Sequence, residues 1–278
     1  MVRKIKKVVT GIVQYDGAGV KLVRVISRPD VEDFDPFLML DAFDSEDPED
    51  YIQGFPWHPH RGIETITYLI KGDIEHGDSL GNKGSIIDGC CQWMTAGKGI
   101  MHQEMPKASK RMLGVQLWLN LPKSEKMTEP KYRDFKSNEK LIINDEKCKI
   151  GVIAGEYKGT LGAVQGDNVK INYLDVEMEP EAKFKFKVNP EDTLFVYIVG
   201  GEGYFGADFD DKQLSKRAVL FGEGDEFIAR TKENGMRFFL LSGKPLKEPI
   251  AWGGPIVMNT EVELDQAFKE LREGTFIK

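Results

Sequence analysis

Short apolar runs of β-forming residues recur along the whole chain: Val20 to Ile26, Thr65 to Ile70, Val115 to Leu119, Leu174 to Glu177, Leu194 to Val199 and Phe238 to Leu241. Gly, Asp and Asn punctuate these runs, and no helical periodicity fills the intervals between them. The pattern predicts an all-β sandwich or barrel, because a doubly wound sheet needs a helix between successive strands. One stretch departs from it. Leu264, Ala267, Phe268 and Leu271 recur at i, i+3, i+4 and i+7, Thr260 and Glu263 stand at capping-box spacing, and Gly274 supplies a stop. This spacing predicts a C-terminal helix strapped onto a barrel.

An internal repeat divides the chain. Tyr68-Leu69-Ile70-Lys71-Gly72-Asp73 is similar to Tyr197-Ile198-Val199-Gly200-Gly201-Glu202, and the step from 68 to 197 is an offset of 129. Two barrels are therefore expected. The segment Pro122 to Pro130 is polar and bracketed by prolines, as interdomain linkers often are, which puts the boundary near 132: residues 1–132 in one barrel and 133–278 in the other. Gly201-Glu202-Gly203-Tyr204-Phe205-Gly206 has the GxGxxG spacing of a dinucleotide loop. The following Ala207-Asp208-Phe209-Asp210-Asp211 is no helix, however, and a pyrophosphate needs a helix N-terminus there. These glycines are expected in a β-turn between barrel strands.

Charge and cysteine content narrow the classes. The 278 residues include 38 Lys and Arg against 45 Asp and Glu, a net charge of −7 with no long block of either sign. That balance gives no electrostatic footprint for a nucleic-acid backbone, so no direct nucleic-acid binding is expected. The basic opening Val2-Arg3-Lys4-Ile5-Lys6-Lys7 leads into alternation, and no later stretch approaches the roughly 18 uninterrupted apolar residues of a membrane span. A soluble cytoplasmic protein without membrane association is the expectation. Three cysteines, two of them adjacent as Cys90 and Cys91, read as thiols in a reducing compartment.

The chemistry concentrates in histidine. Of four histidines in the chain, His58 and His60 stand at i and i+2, and His102 stands two residues before Glu104. In extended backbone such pairs leave the same face of a strand, so each pair can reach one ion. Together they offer three nitrogens and one oxygen, and an octahedral ion would keep two open positions. Imidazole with carboxylate suits Fe(II) first, with Mn, Ni, Co, Cu or Zn also able to occupy such a set. The lack of thiolate speaks against a structural zinc site. His76 has no partner at ligand spacing and reads as an ordinary polar residue.

Two longer motifs surround these residues. Gly54-Phe55-Pro56-Trp57-His58-Pro59-His60-Arg61-Gly62-Ile63-Glu64-Thr65 and Gln92-Trp93-Met94-Thr95-Ala96-Gly97-Lys98-Gly99-Ile100-Met101-His102-Gln103-Glu104-Met105-Pro106 resemble the signature pair of the pirin family, within the cupin superfamily. Further similarity runs through Gly114 to Leu121, Lys126 to Pro130 and Gly254 to Thr260. The second motif carries Thr95 where many cupins have proline. The resemblance implies a bicupin, two cupin-type barrels, whose first barrel binds iron through residues matching His58, His60, His102 and Glu104. In many other cupins the glutamate of the first motif is the fourth ligand. Glu64 shares its parity with His58 and His60, and is therefore expected to point inward as a supporting residue or proton acceptor.

The resemblance also implies two classes of function. One is a metal-dependent dioxygenase opening the ring of flavonols such as quercetin, with O₂ as co-substrate and Glu104 or Glu64 taking the flavonol proton. The other is an iron-dependent binding module that regulates a transcription factor or a metabolic enzyme, with a protein partner that the sequence leaves unnamed. Trp57, Trp93, Met94, Met101 and Met105 flank the ligands in sequence and can line an aromatic pocket or fill a core. At the offset of 129, Lys187, Asn189 and Thr193 stand where the first copy has His58, His60 and Glu64, and no histidine follows His102. The second barrel is expected to hold no metal.

Overall fold

A computed structural model describes residues 1–207 and 212–277. Asp208 to Asp211, on which the reading of the glycine-rich segment partly rested, lie outside the described residues. The architecture is all-β with one C-terminal helix, Glu261–Glu273. Each apolar run falls in a strand: Val20–Ile26, Ile63–Lys71, Met112–Asn120, Ile171–Met178, Thr193–Phe205 and Met236–Gly243.

One compact unit comprises Ile12–Arg28, Phe37–Ser137 and Leu246–Lys278. Its seven-stranded sheet runs in the order Lys131–Phe135, Cys91–Thr95, Ile63–Lys71, Met112–Asn120, Phe37–Ser45, Val20–Ile26, Ile12–Asp16. A four-stranded sheet runs Phe55–His60, Ile100–Pro106, Asp73–Asp78, Lys83–Ile87. All pairings are antiparallel. The strand Ile100–Pro106 alternates buried and half-buried positions, so Ile100, His102, Glu104 and Pro106 share the inward face. The C-terminal helix is capped as expected: the Thr260 side chain accepts from Glu263 N, the Glu263 carboxylate accepts from Thr260 N, and Gly274 ends it at φ 71°. Leu264 and Ala267 pack with Ala251, Ile256, Met258 and Phe276. The buried Arg61, next to His60, ties the helix down through Glu270 at 2.8 Å and through the Phe276 carbonyl at 3.0 Å.

The other unit comprises Met1–Gly11, Pro29–Pro36 and Asn138–Pro245. Its main path runs Ile5–Thr10, Arg217–Phe221, Thr193–Phe205, Met236–Gly243, Ile171–Met178, Cys148–Ala154, Leu141–Asp145. Lys183–Lys187 pairs with Glu226–Arg230, which pairs in turn with the far end of Thr193–Phe205. In Lys183–Lys187 lysines face out and phenylalanines face in. Phe184, Phe205, Phe221, Phe227 and Phe238 fill the interior, with ring centroids 5.0–6.2 Å apart.

Three expectations are corrected here. The units are not the contiguous 1–132 and 133–278: the first strand, Ile5–Thr10, completes the sheet of the later barrel, and the last 33 residues, 246–278, belong with the earlier one. Strand pairing and helix packing are long-range and leave no local mark on sequence. The proline-bracketed segment is not a linker either. Lys126 is buried in the histidine-bearing unit, donating to Gly62 O at 2.8 Å, Asn120 Oδ1 at 2.5 Å and Val257 O at 2.9 Å. Burial pushes its pKa down to about 7. Finally, Gly201 and Gly203 lie within the strand Thr193–Phe205 instead of a turn, just past a register shift between Ile198 and Gly200.

Candidate metal centre

His58 and His60 leave the strand Phe55–His60 on one face, and its neighbour Ile100–Pro106 sets His102 directly across from His58. The ring centroids of the three imidazoles lie 4.3–4.9 Å apart. One ring nitrogen from each falls within 4.8 Å of the others. Among the described residues this is the only such group of three or more His, Cys, Asp or Glu.

The hydrogen bonds around these rings define their protonation. His58 Nδ1 lies 2.8 Å from Pro56 O, and His60 Nδ1 lies 3.0 Å from Pro255 O. A carbonyl only accepts, so each Nδ1 carries a proton, and in the neutral ring each Nε2 presents a lone pair. The two Nε2 atoms are 3.1 Å apart. Two lone pairs facing at that distance repel, and a shared proton is opposed because burial, with His58 alongside, pushes His60 down to about 3. His102 is pushed well below its ordinary value by burial and by His60, His58 and His76. Among the described residues neither of its ring nitrogens has a hydrogen-bond partner. Convergent and short of donors, the three rings fit a divalent cation.

Glu104 is buried on the same strand face as His102, yet it stands outside the close group of nitrogens. Thr67 Oγ1 donates to its Oε1 at 3.0 Å and Gln116 Nε2 to its Oε2 at 2.7 Å, both from the seven-stranded sheet. Glu64 is not brought to the imidazoles. Its Oε2 accepts from Trp93 Nε1 at 3.0 Å and its Oε1 from Thr95 Oγ1 at 2.8 Å. It lies three residues from Thr67 on a regularly paired strand and therefore leaves the opposite face. The expected parity with His58 and His60 fails because Arg61 and Gly62 break the extended backbone between the strands. Gly62 sits at φ +76°, where an added Cβ would come within 2.0 Å of Val257 O.

The structure adds one histidine to the neighbourhood. His76, across from Glu104 on the adjacent strand, stacks on Tyr132 with centroids 4.6 Å apart and lies 5.5 Å from the His102 ring. Its Nε2 is 3.3 Å from Asp78 Oδ2. The spacing His76-Gly77-Asp78, an alternation like that of His58 and His60, was the available signal.

A cavity of about 720 Å³ opens onto His58 and His60. Its aromatic walls are Phe55, Trp118 and Trp252, the two indoles 6.0 Å apart, and Arg24, Arg28 and Asp41 also line it. None of Trp57, Trp93, Met94, Met101 and Met105 lines it. Trp57 is half exposed, and Trp93 and Met94 are buried elsewhere in the barrel. Trp252 lies far along the chain from both histidine motifs, so motif proximity could not have found it.

Residues 19–119 match the family model described as Pirin, and residues 173–277 match the one described as Pirin C-terminal cupin domain. The chain is 40% identical over 278 residues to a pirin-like protein of Caulobacter vibrioides, covering 99% of each. It is 38% identical over 262 residues to pirin of Homo sapiens, covering 93% of this chain and 89% of the relative. The solved structure of a quercetin 2,3-dioxygenase from Acinetobacter baumannii superposes with a TM-score of 0.89 at 31% identity, over 99% of both chains.

Proposed function

The chain belongs to the pirin family, and from that premise we propose that its histidine-bearing barrel is a metal-dependent dioxygenase acting on flavonols such as quercetin. One observation carries the reading: two Nε2 lone pairs held face to face at 3.1 Å, with the proton of each ring tied to a carbonyl, beside an unpartnered His102. His58, His60 and His102 would hold the ion, Glu104 would complete the set, and Fe(II) is the metal of first choice. Bound there, such an ion supplies Lewis acidity toward a chelating hydroxyl and carbonyl, and redox capacity toward O₂.

The protein's own contribution lies in the cavity and in the buried Glu104. Trp118 and Trp252 offer apolar faces for a planar ring system, and the cavity volume lies within the range of small-molecule sites, roughly 300–1,000 Å³. Glu104 takes the proton of the flavonol 3-hydroxyl on a carboxylate oxygen, which leaves the electron-rich flavonolate to react. The overall balance is flavonol and O₂ in, ring-opened ester and carbon monoxide out. Oxygen uptake tests this: Fe(II)-loaded protein with quercetin consumes O₂ in step with flavonol loss, and His102→Ala does not. Full metal loading without oxygen uptake would replace the enzyme reading with that of a metal-dependent binding module.

A further inference from the structure

Glu104 is buried, and each of its oxygens is already engaged by a donor from the facing sheet. One of those donors is oriented by chemistry as well as by packing. Trp118 Nε1 carries a hydrogen and cannot accept, and it lies 3.4 Å from Gln116 Oε1. The amide oxygen of Gln116 is therefore turned to the indole, and its NH₂ is turned to Glu104 Oε2 at 2.7 Å. The same NH₂ reaches Thr67 Oγ1 at 3.4 Å, so one amide touches both the carboxylate and its other donor. Cross-strand register sets this up, since Gln116 pairs with Thr67 and Trp118 with Thr65 on neighbouring strands.

Gln116 and Trp118 also reach the cavity, and Trp118 meets the His60 ring nearly edge-on with centroids 5.0 Å apart. Of the two donors to Glu104 among the described residues, only Gln116 has this double position, since Thr67 does not line the cavity. We propose that Gln116 is a positioning residue for Glu104, with Trp118 fixing the sense of its amide. A carboxylate has about four lone-pair sites, and Thr67 and Gln116 use two of them. Their directions decide where the remaining pairs are available to a cation held by the three imidazoles. This inference rests on the metal reading given above and asks how its fourth donor is aimed.

Cobalt(II) titrated into the metal-free full-length chain tests it, with visible absorption reporting both affinity and coordination. Four proteins are compared: wild type, Gln116→Met, Trp118→Phe and His102→Ala. Gln116→Met keeps length and apolar bulk but cannot donate, and it is expected to bind Co(II) about 10- to 100-fold more weakly, with an altered band. Trp118→Phe keeps a ring but frees the amide to turn over, and it is expected to shift the band in the same direction with a smaller loss of affinity. Circular dichroism and thermal melting establish that each variant is folded. Should Gln116→Met fail to fold, the band of Trp118→Phe decides alone. Wild-type affinity and band in the folded variants, while His102→Ala loses Co(II), would overturn the positioning role and leave the metal site standing. Wild-type binding by His102→Ala would remove the metal reading, and this inference with it.

Discussion

In one barrel Phe55–His60 pairs with Ile100–Pro106, and in the other Lys183–Lys187 pairs with Glu226–Arg230 at the same place in the strand order. The first pair of strands puts His58, His60, His102 and Glu104 inside. The second puts Phe184, Phe186, Phe227 and Ala229 there. The phenylalanine interior needs no hydrogen bonds and is held by ring packing. The histidine interior needs a partner for every polar atom, and the chain supplies most of them: carbonyls at Pro56 and Pro255 for two rings, Thr67 and Gln116 for Glu104. His102 is left without one. The same frame thus serves either as a packed core or as a site, and the difference lies in about four inward positions. A site of this kind is less stable without its ligand, because neutral buried imidazoles and a lone-pair clash replace apolar contact.

The comparison breaks first if the polar interior is only structural. Glu104→Gln is expected to slow flavonol turnover by about 10² to 10⁴ at full metal occupancy, since an amide cannot accept the hydroxyl proton. Glu64→Gln, on the opposite strand face, is the control, and absorbance of the flavonol measures both. A larger loss in Glu64→Gln would reverse the assignment. Next in size, Phe227→Ala should destabilise the aromatic barrel by about 3–5 kcal/mol in urea unfolding through loss of packing and a residual cavity, and leave metal binding intact.

Acid should separate the barrels gradually, by a smaller step per pH unit. His60 has a folded value of about 3 against 6.5 for an ordinary histidine, and His102 shifts in the same direction. Between those values the unfolded chain binds more protons than the folded one. Stability of the metal-free protein is therefore complete above about pH 6.5 and falls as pH drops toward 3, by up to about 1.4 kcal/mol per pH unit for each histidine. The aromatic barrel contains no histidine and has no such contribution. Urea unfolding at several pH values checks it, and equal acid sensitivity of both barrels would contradict it. The smallest expected effect is Thr260→Ala, which removes the helix N-cap and should lower the stability of the histidine barrel alone by about 1 kcal/mol in thermal unfolding.

What could be read from sequence was local. The alternation in His58-Pro59-His60 and His102-Gln103-Glu104 needs only two residues of extended backbone to show which side chains travel together. The capping box at Thr260 and Glu263 and the stop at Gly274 are equally short-range. What failed depended on connections of uneven length. The repeat offset of 129 holds in the strands carrying Tyr68 and Tyr197, but two residues (61–62) join Phe55–His60 to the next strand, whereas five (188–192) join Lys183–Lys187 to its own. The three extra residues move the true counterparts of His58 and His60 from Lys187 and Asn189 to Phe184 and Phe186. Glu64 was misplaced by the same short turn at Arg61 and Gly62, and Trp252 escaped notice through its distance along the chain.

The hydrogen bond from His60 Nδ1 to Pro255 O spans 195 residues of sequence. A chain emerging from the ribosome exposes both histidine motifs long before Pro255 has been added. Until then nothing at that position pins the proton of His60 to Nδ1, and its ring is free to present either nitrogen. The helix that Arg61 anchors beside it comes later still. Completion of the site thus waits until Pro255 has been added, and tight metal capture would mark a polypeptide extended at least that far.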